Sequence, residues 1–320
     1  MTEPSTSTGS FPVVKKNSDI VVGIDGSKGS CCALAWAMQE ASLTGQFVNA
    51  VYGWTYSWDM GPEPEDEDGW RAIREQITKK LYGWAEIANE GIDFDMSKLK
   101  LTSVRASGSS ALLRIGQESD QIVVGRRSLS PVARWFFGSV SSSIAEHSHV
   151  PVTVVRVPEY KENAVKENIH NALSDDLRSE PAASRPIVVG LDGSDCSLRA
   201  LEFAARAAHY EKRQLKVLYC WQLKKLEGDF KDRVPSEDEA QEFASAKVQE
   251  WISKVQLPED VNVKALAFHI APGKGMIQAS EDADRVVVGS RGLSGFDAHV
   301  LGSVSQYVLE NATGTVTVVH

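Results

Sequence analysis

Three motifs occur twice in this chain, in the same order and at nearly the same spacing. IVVGIDGS from Ile20 returns as IVVGLDGS from Ile187, 167 residues later. DQIVVG from Asp120 returns as DRVVVG from Asp284, and FGSVS from Phe137 as LGSVS from Leu301, both at an offset of 164. The copies also end alike, PVTVVR from Pro151 against TVTVVH from Thr315. A period of that length is a whole domain, and 320 residues accommodate two, each with its own core. The expected boundaries are 18–157 for the first copy and 185–320 for the second. Residues 158–184 between them, mixed in charge and without a steady apolar period, read as a linker.

Within each copy, short β-branched apolar runs alternate with segments of helical period, the pattern of βαβ units and a parallel sheet. The first copy offers Ile20–Ile24, Phe47–Tyr52, Leu101–Val104, Ile122–Val124 and Val152–Val157. The second offers Ile187–Leu191, Leu215–Tyr219, Val261–Phe268, Val286–Val288 and Val316–Val319. The fold class predicted is therefore α/β: two tandem open five-stranded parallel sheets with helices on both faces. Leu198, Leu201, Ala205 and Ala208 form one helical stripe, which the repeat carries back onto Cys31, Leu34, Met38 and Ala41, so Cys31 is expected in the core. Longer helices are predicted around Trp70, Ile73, Ile77 and Trp84, and around Phe243, Val248, Trp251 and Val255. Ser236 and Glu239 form a capping box before the second of these, and Trp84 and Trp251 are equivalent packing residues.

Composition narrows the function. Thirty-four basic against 43 acidic residues leave a net charge of −9, which argues against a nucleic-acid surface. No apolar run is long enough for a membrane span, and the Ser/Thr-rich start from Met1 to Phe11 lacks the basic and apolar regions of a secretory signal. Cys31, Cys32, Cys196 and Cys220 have no metal or disulfide spacing, as expected of thiols in a reducing, cytoplasmic setting. The acidic run Glu63–Asp68 reads as a solvated loop, and the histidines 147, 149, 209 and 269 as structural or surface groups.

The pattern that carries chemistry lies in the second copy. Gly289-Ser290-Arg291-Gly292 follows the fourth strand, and after nine residues Gly302-Ser303-Val304-Ser305 opens a helix. Glycines bring backbone N–H groups close to phosphate oxygens, and a helix start adds unpaired donors and the positive end of its dipole. Ser303 and Ser305 are expected to add hydroxyl donors. Asp192, at the end of the first strand, would repel a pyrophosphate. It is read as an acceptor for a base amino group or ribose hydroxyl, as an Asx-turn or cap residue before Gly193-Ser194, or as both. There is no GxGxxG and no GxxxxGK[ST], so neither a dinucleotide fingerprint nor a P-loop is present.

These residues resemble the universal stress protein family, whose nucleotide-binding members carry G-x2-G-x9-G-[ST] after strand four and an Asp after strand one. The resemblance covers nearly the whole chain, twice. It implies ATP as ligand, with a magnesium ion brought by the phosphates. It also implies that Asp192 contacts the base, that Cys220 and Val288 border the nucleoside, and that Gly289, Gly292, Gly302, Ser303, Val304 and Ser305 hold ribose and phosphates. Arg291 is a further candidate for the phosphate charge. The last strands of such domains pair across a dimer interface, so the two copies here are expected to form an intrachain pseudo-dimer, with a homodimer as a further option.

The first copy departs from the pattern. It keeps Asp25, Gly125, Gly138, Ser139, Val140 and Ser141 as candidate nucleotide contacts, so that weak nucleotide binding, another ligand or none are its three options, but Ser128 stands where the second glycine belongs, and Pro131 matches Gly295. If that position requires a positive φ, a Cβ there costs about 1 kcal/mol and crowds the phosphate path. Arg134, Trp135, Phe136 and Phe137 give its loop another character, suited to packing or an interface. Three functions follow: an ATP-binding regulatory protein in a stress response, a slow ATPase, or a nucleotide-free scaffold for other proteins. No general base is evident, which disfavours the second. The motif disfavours the third.

Overall fold

Ten of the apolar runs become strands of a single sheet. The computed structural model describes residues 19–55, 63–126, 139–156, 185–226, 230, 234–293 and 300–320. In the first copy β1 (Asp19–Gly23), α1 (Lys28–Thr44), β2 (Phe47–Trp54), α2 (Glu67–Ala88), β3 (Leu99–Arg105), α3 (Gly108–Ile115), β4 (Gln121–Gly125), α4 (Ser139–His147) and β5 (Val152–Val155) follow one another. The second repeats the series as β6 (Ile187–Gly190), α5 (Asp195–Glu211), β7 (Leu215–Trp221), α6 (Glu237–Ser253), β8 (Val263–His269), α7 (Pro272–Asp282), β9 (Arg285–Gly289), α8 (Ser303–Asn311) and β10 (Thr315–Val319). The strand order is β3-β2-β1-β4-β5-β10-β9-β6-β7-β8, parallel within each copy and antiparallel only where β5 meets β10. Thr153 and Thr317 face each other in that register, and their hydroxyls lie 2.8 Å apart at the local twofold between the copies. The pseudo-dimer is thus built into one chain.

The two faces of the sheet are covered differently. On one, a single apolar core runs across both copies, from Val21 and Ile122 through Val152 and Val316 to Val286 and Leu218, under α3, α4, α7 and α8. On the other lie one core holding Leu34, Met38 and Leu81 beneath α1 and α2, another holding Leu201, Ala205 and Val248 beneath α5 and α6, and a small cluster of Trp221, Leu226, Ala240 and Ala244 beside the first half of α6. The helical stripe sits where the repeat predicts, except at its first position. Cys31 and Leu198 are half-buried. Burial still pushes the Cys31 thiol upward. The edge strand β3 extends past its apolar run at both ends, and β8, from Val263 to His269, starts and ends later than its own.

The turn after the first strand of each copy has one construction. Gly26 and Gly193 have φ of 78° and 83°, the left-handed region that favours glycine. A Cβ on either would lie 2.3 Å from Trp84 or 2.6 Å from Trp251. Each tryptophan is held in turn by an edge-to-face tyrosine of the second strand, Tyr52 at 5.8 Å and Tyr219 at 4.8 Å. The equivalence of the two tryptophans therefore has a cause: they form the floor beneath the Asp-Gly-Ser turn. Gly193→Ala is expected to lower stability by about 1–3 kcal/mol through the forced φ and the overpacked indole, read as a shift in urea midpoint at unchanged slope.

Local signals account for the helix starts. Ser27, Ser194 and Ser107 each accept a hydrogen bond from the amide three residues on, and Ser236 and Glu239 close the predicted capping box. The acidic run reads differently from its expectation as loop. Asp66 caps α2, and Glu67 and Asp68 occupy its first turn, where negative charge complements the helix dipole. Between α1 and α5 lies a buried ionic cluster: the Arg285 guanidinium bonds Glu211 closely and Glu40 at 3.4 Å, and packs over Trp36. Arg213 joins Glu211 to Asp284 from the same side. Arg206 reaches Asp120 across the copies at 3.0 Å.

Candidate functional site

In the second copy, the carboxyl end of β9 is tied to the start of α8 through one serine. The Ser290 N–H donates to the Val319 carbonyl at 2.6 Å, and the Ser290 carbonyl accepts from the Gly302 N–H at 2.7 Å and the Ser305 hydroxyl at 2.9 Å. The loop leaving the strand is thus closed back onto the helix start. Ser305 is buried and its proton is spent on Ser290, so it braces the loop and is not the expected hydroxyl donor. Gly302 precedes α8 with φ −63° and ψ 149°, and no side chain among the described residues caps it. The first-turn amides of Ser303, Val304 and Ser305 are therefore left without acceptors inside the helix. Ser303 is exposed and Val304 half-buried at this end.

Facing them is the turn after β6. Asp192 Oδ1 accepts from the Ser194 N–H at 3.0 Å and the Ser194 hydroxyl at 2.6 Å, and Ser194 in turn caps α5. The Asx-turn role is thus present. The other carboxylate oxygen, Oδ2, points at Gly292: a Cβ there would lie 2.4 Å from it. The glycine requirement at 292 differs from the expectation. Its φ is not positive; among the described glycines only 26, 45, 91 and 193 have that conformation. Gly292 is required by space, because two segments 100 residues apart converge on it. Gly289 is likewise fixed by close approach, its missing Cβ lying 2.8 Å from the Cys196 carbonyl carbon.

Cys220 and Val288 are buried in the continuous core, Cys220 with its sulfur where a Cβ on Gly275 of α7 would be. Burial pushes the Cys220 thiol up to about 12. Neither has a surface exposed to solvent, Cys220 being 7% and Val288 4% exposed. Arg291 is half-buried, and its carbonyl accepts from the Ser194 hydroxyl at 3.4 Å. The chain-terminal His320 lies near it, held down to about 4 by burial first and by His149, Arg291 and Arg199. Among the described residues no group of three or more His, Cys, Asp or Glu could hold a metal ion by itself.

The first copy preserves the frame and changes the contents. Asp25 accepts from the Ser27 N–H at 3.0 Å, the same turn as Asp192, but is exposed. Gly125 ends β4 under still tighter contact, with its missing Cβ 2.1 Å from the Gly29 carbonyl. Ser139 opens α4, Val140 is 38 % exposed, and Ser141 is buried like Ser305. Gly138, Ser128, Pro131 and the Arg134–Phe137 segment lie outside the described residues, as does the expected linker. In place of Ser290 stands Arg126, whose N–H makes the matching bond to Val155 at 2.9 Å. In the sequence motif Ser290 fills one of the two variable positions between Gly289 and Gly292. Its signal was there: a small hydroxyl in the second copy matched by an arginine in the first.

The model of the universal stress protein family matches residues 16–156 and 183–320. A universal stress protein of Mycobacterium tuberculosis strain H37Rv is 27% identical over 304 residues, spanning 93% of this chain and 95% of the relative. One from Mycolicibacterium smegmatis is 29% identical over 313 residues, spanning 94% and 96%. In three dimensions the chain is similar to the crystal structure of a universal stress protein from Archaeoglobus fulgidus, with a TM-score of 0.59 at 17% identity over 94% of this chain and 97% of that one. That likeness is one of fold.

Proposed function

The chain belongs to the universal stress protein family, with two copies of the domain, and from this and the geometry of the second copy we propose that it binds one ATP there and acts as a regulator in a stress response. The observation that carries the reading is the start of α8, where the Ser303, Val304 and Ser305 amides have no acceptor inside the helix and no side chain among the described residues caps them, while Gly292 lets the loop after β9 pass against Asp192 Oδ2. Amides at a helix start suit phosphate oxygens, and a carboxylate oxygen suits an adenine amino group or a ribose hydroxyl. The two ends of the site thus have opposite preferences, as a nucleotide does. Ser303 is the exposed hydroxyl at the phosphate end. A magnesium ion would arrive with the phosphates, and Gly289 and Gly302 let the backbone approach them.

The regulatory reading is favoured over hydrolysis because the sequence motifs identify no general base or nucleophile. The edges of β5 and β10 already pair within the chain, which leaves any homodimer to another surface. Free thiols at the four cysteines suit a cytoplasmic setting. Calorimetric titration of ATP with magnesium into the full chain is expected to give one site per chain, with phosphate release no faster than in its absence. Two equivalent sites would contradict the assignment to the second copy, and no heat or retained nucleotide would refute the reading.

A further inference from the structure

Helix α8 begins at the candidate nucleotide site and ends where two arginines of the first copy reach it. Because β5 and β10 are antiparallel, the strand ends of the first copy lie beside the far end of α8. At nine residues and about 1.5 Å per residue, the helix spans roughly 13 Å between the two. Its last turn contains no basic residue. The first copy supplies two: Arg156 donates from Nη2 to the Leu309 carbonyl, and Arg126 from Nη2 to the Glu310 carbonyl at 3.1 Å. These are carbonyls that a helix end leaves without intrahelical partners, and guanidinium charge there complements the dipole.

Arg156 is a costly residue for so small a task. It is only 7% exposed, and its Nε has no partner. Burial, with Arg126 alongside, pulls its guanidinium down to about 9. A buried cation ordinarily has a carboxylate beside it, whereas the partner shown for this one is the end of a helix. Its counterpart in the repeat is His320, and that of Arg126 is Ser290, so the arrangement is not shared by the two copies.

We propose that Arg126 and Arg156 of the first copy are positioning residues for the nucleotide site of the second: by gripping the Leu309 and Glu310 carbonyls they fix α8 along its axis, and with it the amides of Ser303, Val304 and Ser305. The inference rests on the nucleotide reading above. It also gives the altered first copy a use, since the arginine that replaces the loop-bracing serine there serves the other site. By linkage, nucleotide bound at one end of α8 strengthens the grip at the other.

The test is calorimetric titration of ATP with magnesium into the full chain, comparing wild type with Arg126→Gln, Arg156→Gln, the double variant and Arg126→Lys. The double variant is expected to bind about threefold to tenfold more weakly, tenfold being 1.4 kcal/mol. Arg126→Lys, which keeps a cationic donor within reach of Glu310, is expected to retain wild-type affinity where Arg126→Gln does not. Urea unfolding confirms that each variant is folded at the titration temperature, and Arg126→Gln, altered at a less buried position, carries the test if Arg156→Gln does not fold. Equal affinity in wild type and variants would overturn the inference while leaving the nucleotide reading intact, and so would a lysine variant as weak as the glutamine one. A wild-type chain that takes up no ATP overturns both.

Discussion

Arg285→Met is expected to destabilise the chain by about 3–5 kcal/mol near pH 8, the cost of leaving buried carboxylates without their cation. Arg285 is 1% exposed at the start of β9 and stands between Glu211 of its own copy and Glu40 of the other. Methionine fills similar space and packs over Trp36, so the loss is electrostatic and not a cavity. The loss should shrink toward pH 5, and the sign follows from Glu211. Burial pushes its carboxyl up to about 7, reinforced by Glu40 and Asp284 and opposed by Arg285. A carboxyl raised on folding binds its proton more tightly in the native state, so its contribution is fully present below the unfolded value. That contribution is lost as pH rises through about 7. Without Arg285 the larger of two opposing charges is gone, Arg213 remaining at 3.0 Å, so the preference for the proton grows and acid rescues the variant. Urea midpoints of both proteins between about pH 5 and pH 8 measure this; a variant equally destabilised throughout would show that the cluster acts by packing.

The same cluster shows where sequence legibility ends. Strands β1, β4, β6 and β9 were visible because a parallel strand covered on both faces is a continuous apolar run, as Ile187–Val189 and Val286–Val288 are. The doubling was visible because the motifs kept their order. Nothing local announced that Arg285 would be buried: it follows the aspartate of DRVVVG like a surface residue, and its partners come from two helices 171 residues apart in sequence. Arg156 was hidden for the same reason, as its acceptors are backbone carbonyls more than 150 residues away. At the candidate site the glycines were legible and the reasons for them were not. A positive φ is a local property and could be guessed for Gly193, within its Asp-Gly-Ser turn. The constraint on Gly292 is its distance to Asp192, which only the packed sheet creates.

That distinction makes a prediction about Gly292 that differs from the one backbone strain would make. Gly292→Ala and Gly292→Ser are both expected to weaken ATP binding by about tenfold or more, a change of 1.4 kcal/mol. The added Cβ, at 2.4 Å from Asp192 Oδ2, must displace either the carboxylate or the loop. Displacing the carboxylate breaks its bonds to the Ser194 amide and hydroxyl, and so disturbs the cap of α5 as well as the acceptor offered to the base. Displacing the loop pulls on Ser290, whose carbonyl holds Gly302 and Ser305 at the start of α8. Either movement separates the two ends of the site. Because φ at 292 is not in the left-handed region, asparagine, which tolerates that region, should be no better than alanine. Were strain the cause, asparagine would recover affinity. Titrating the three variants decides between them, and binding unchanged in all three would place the nucleotide away from Gly292.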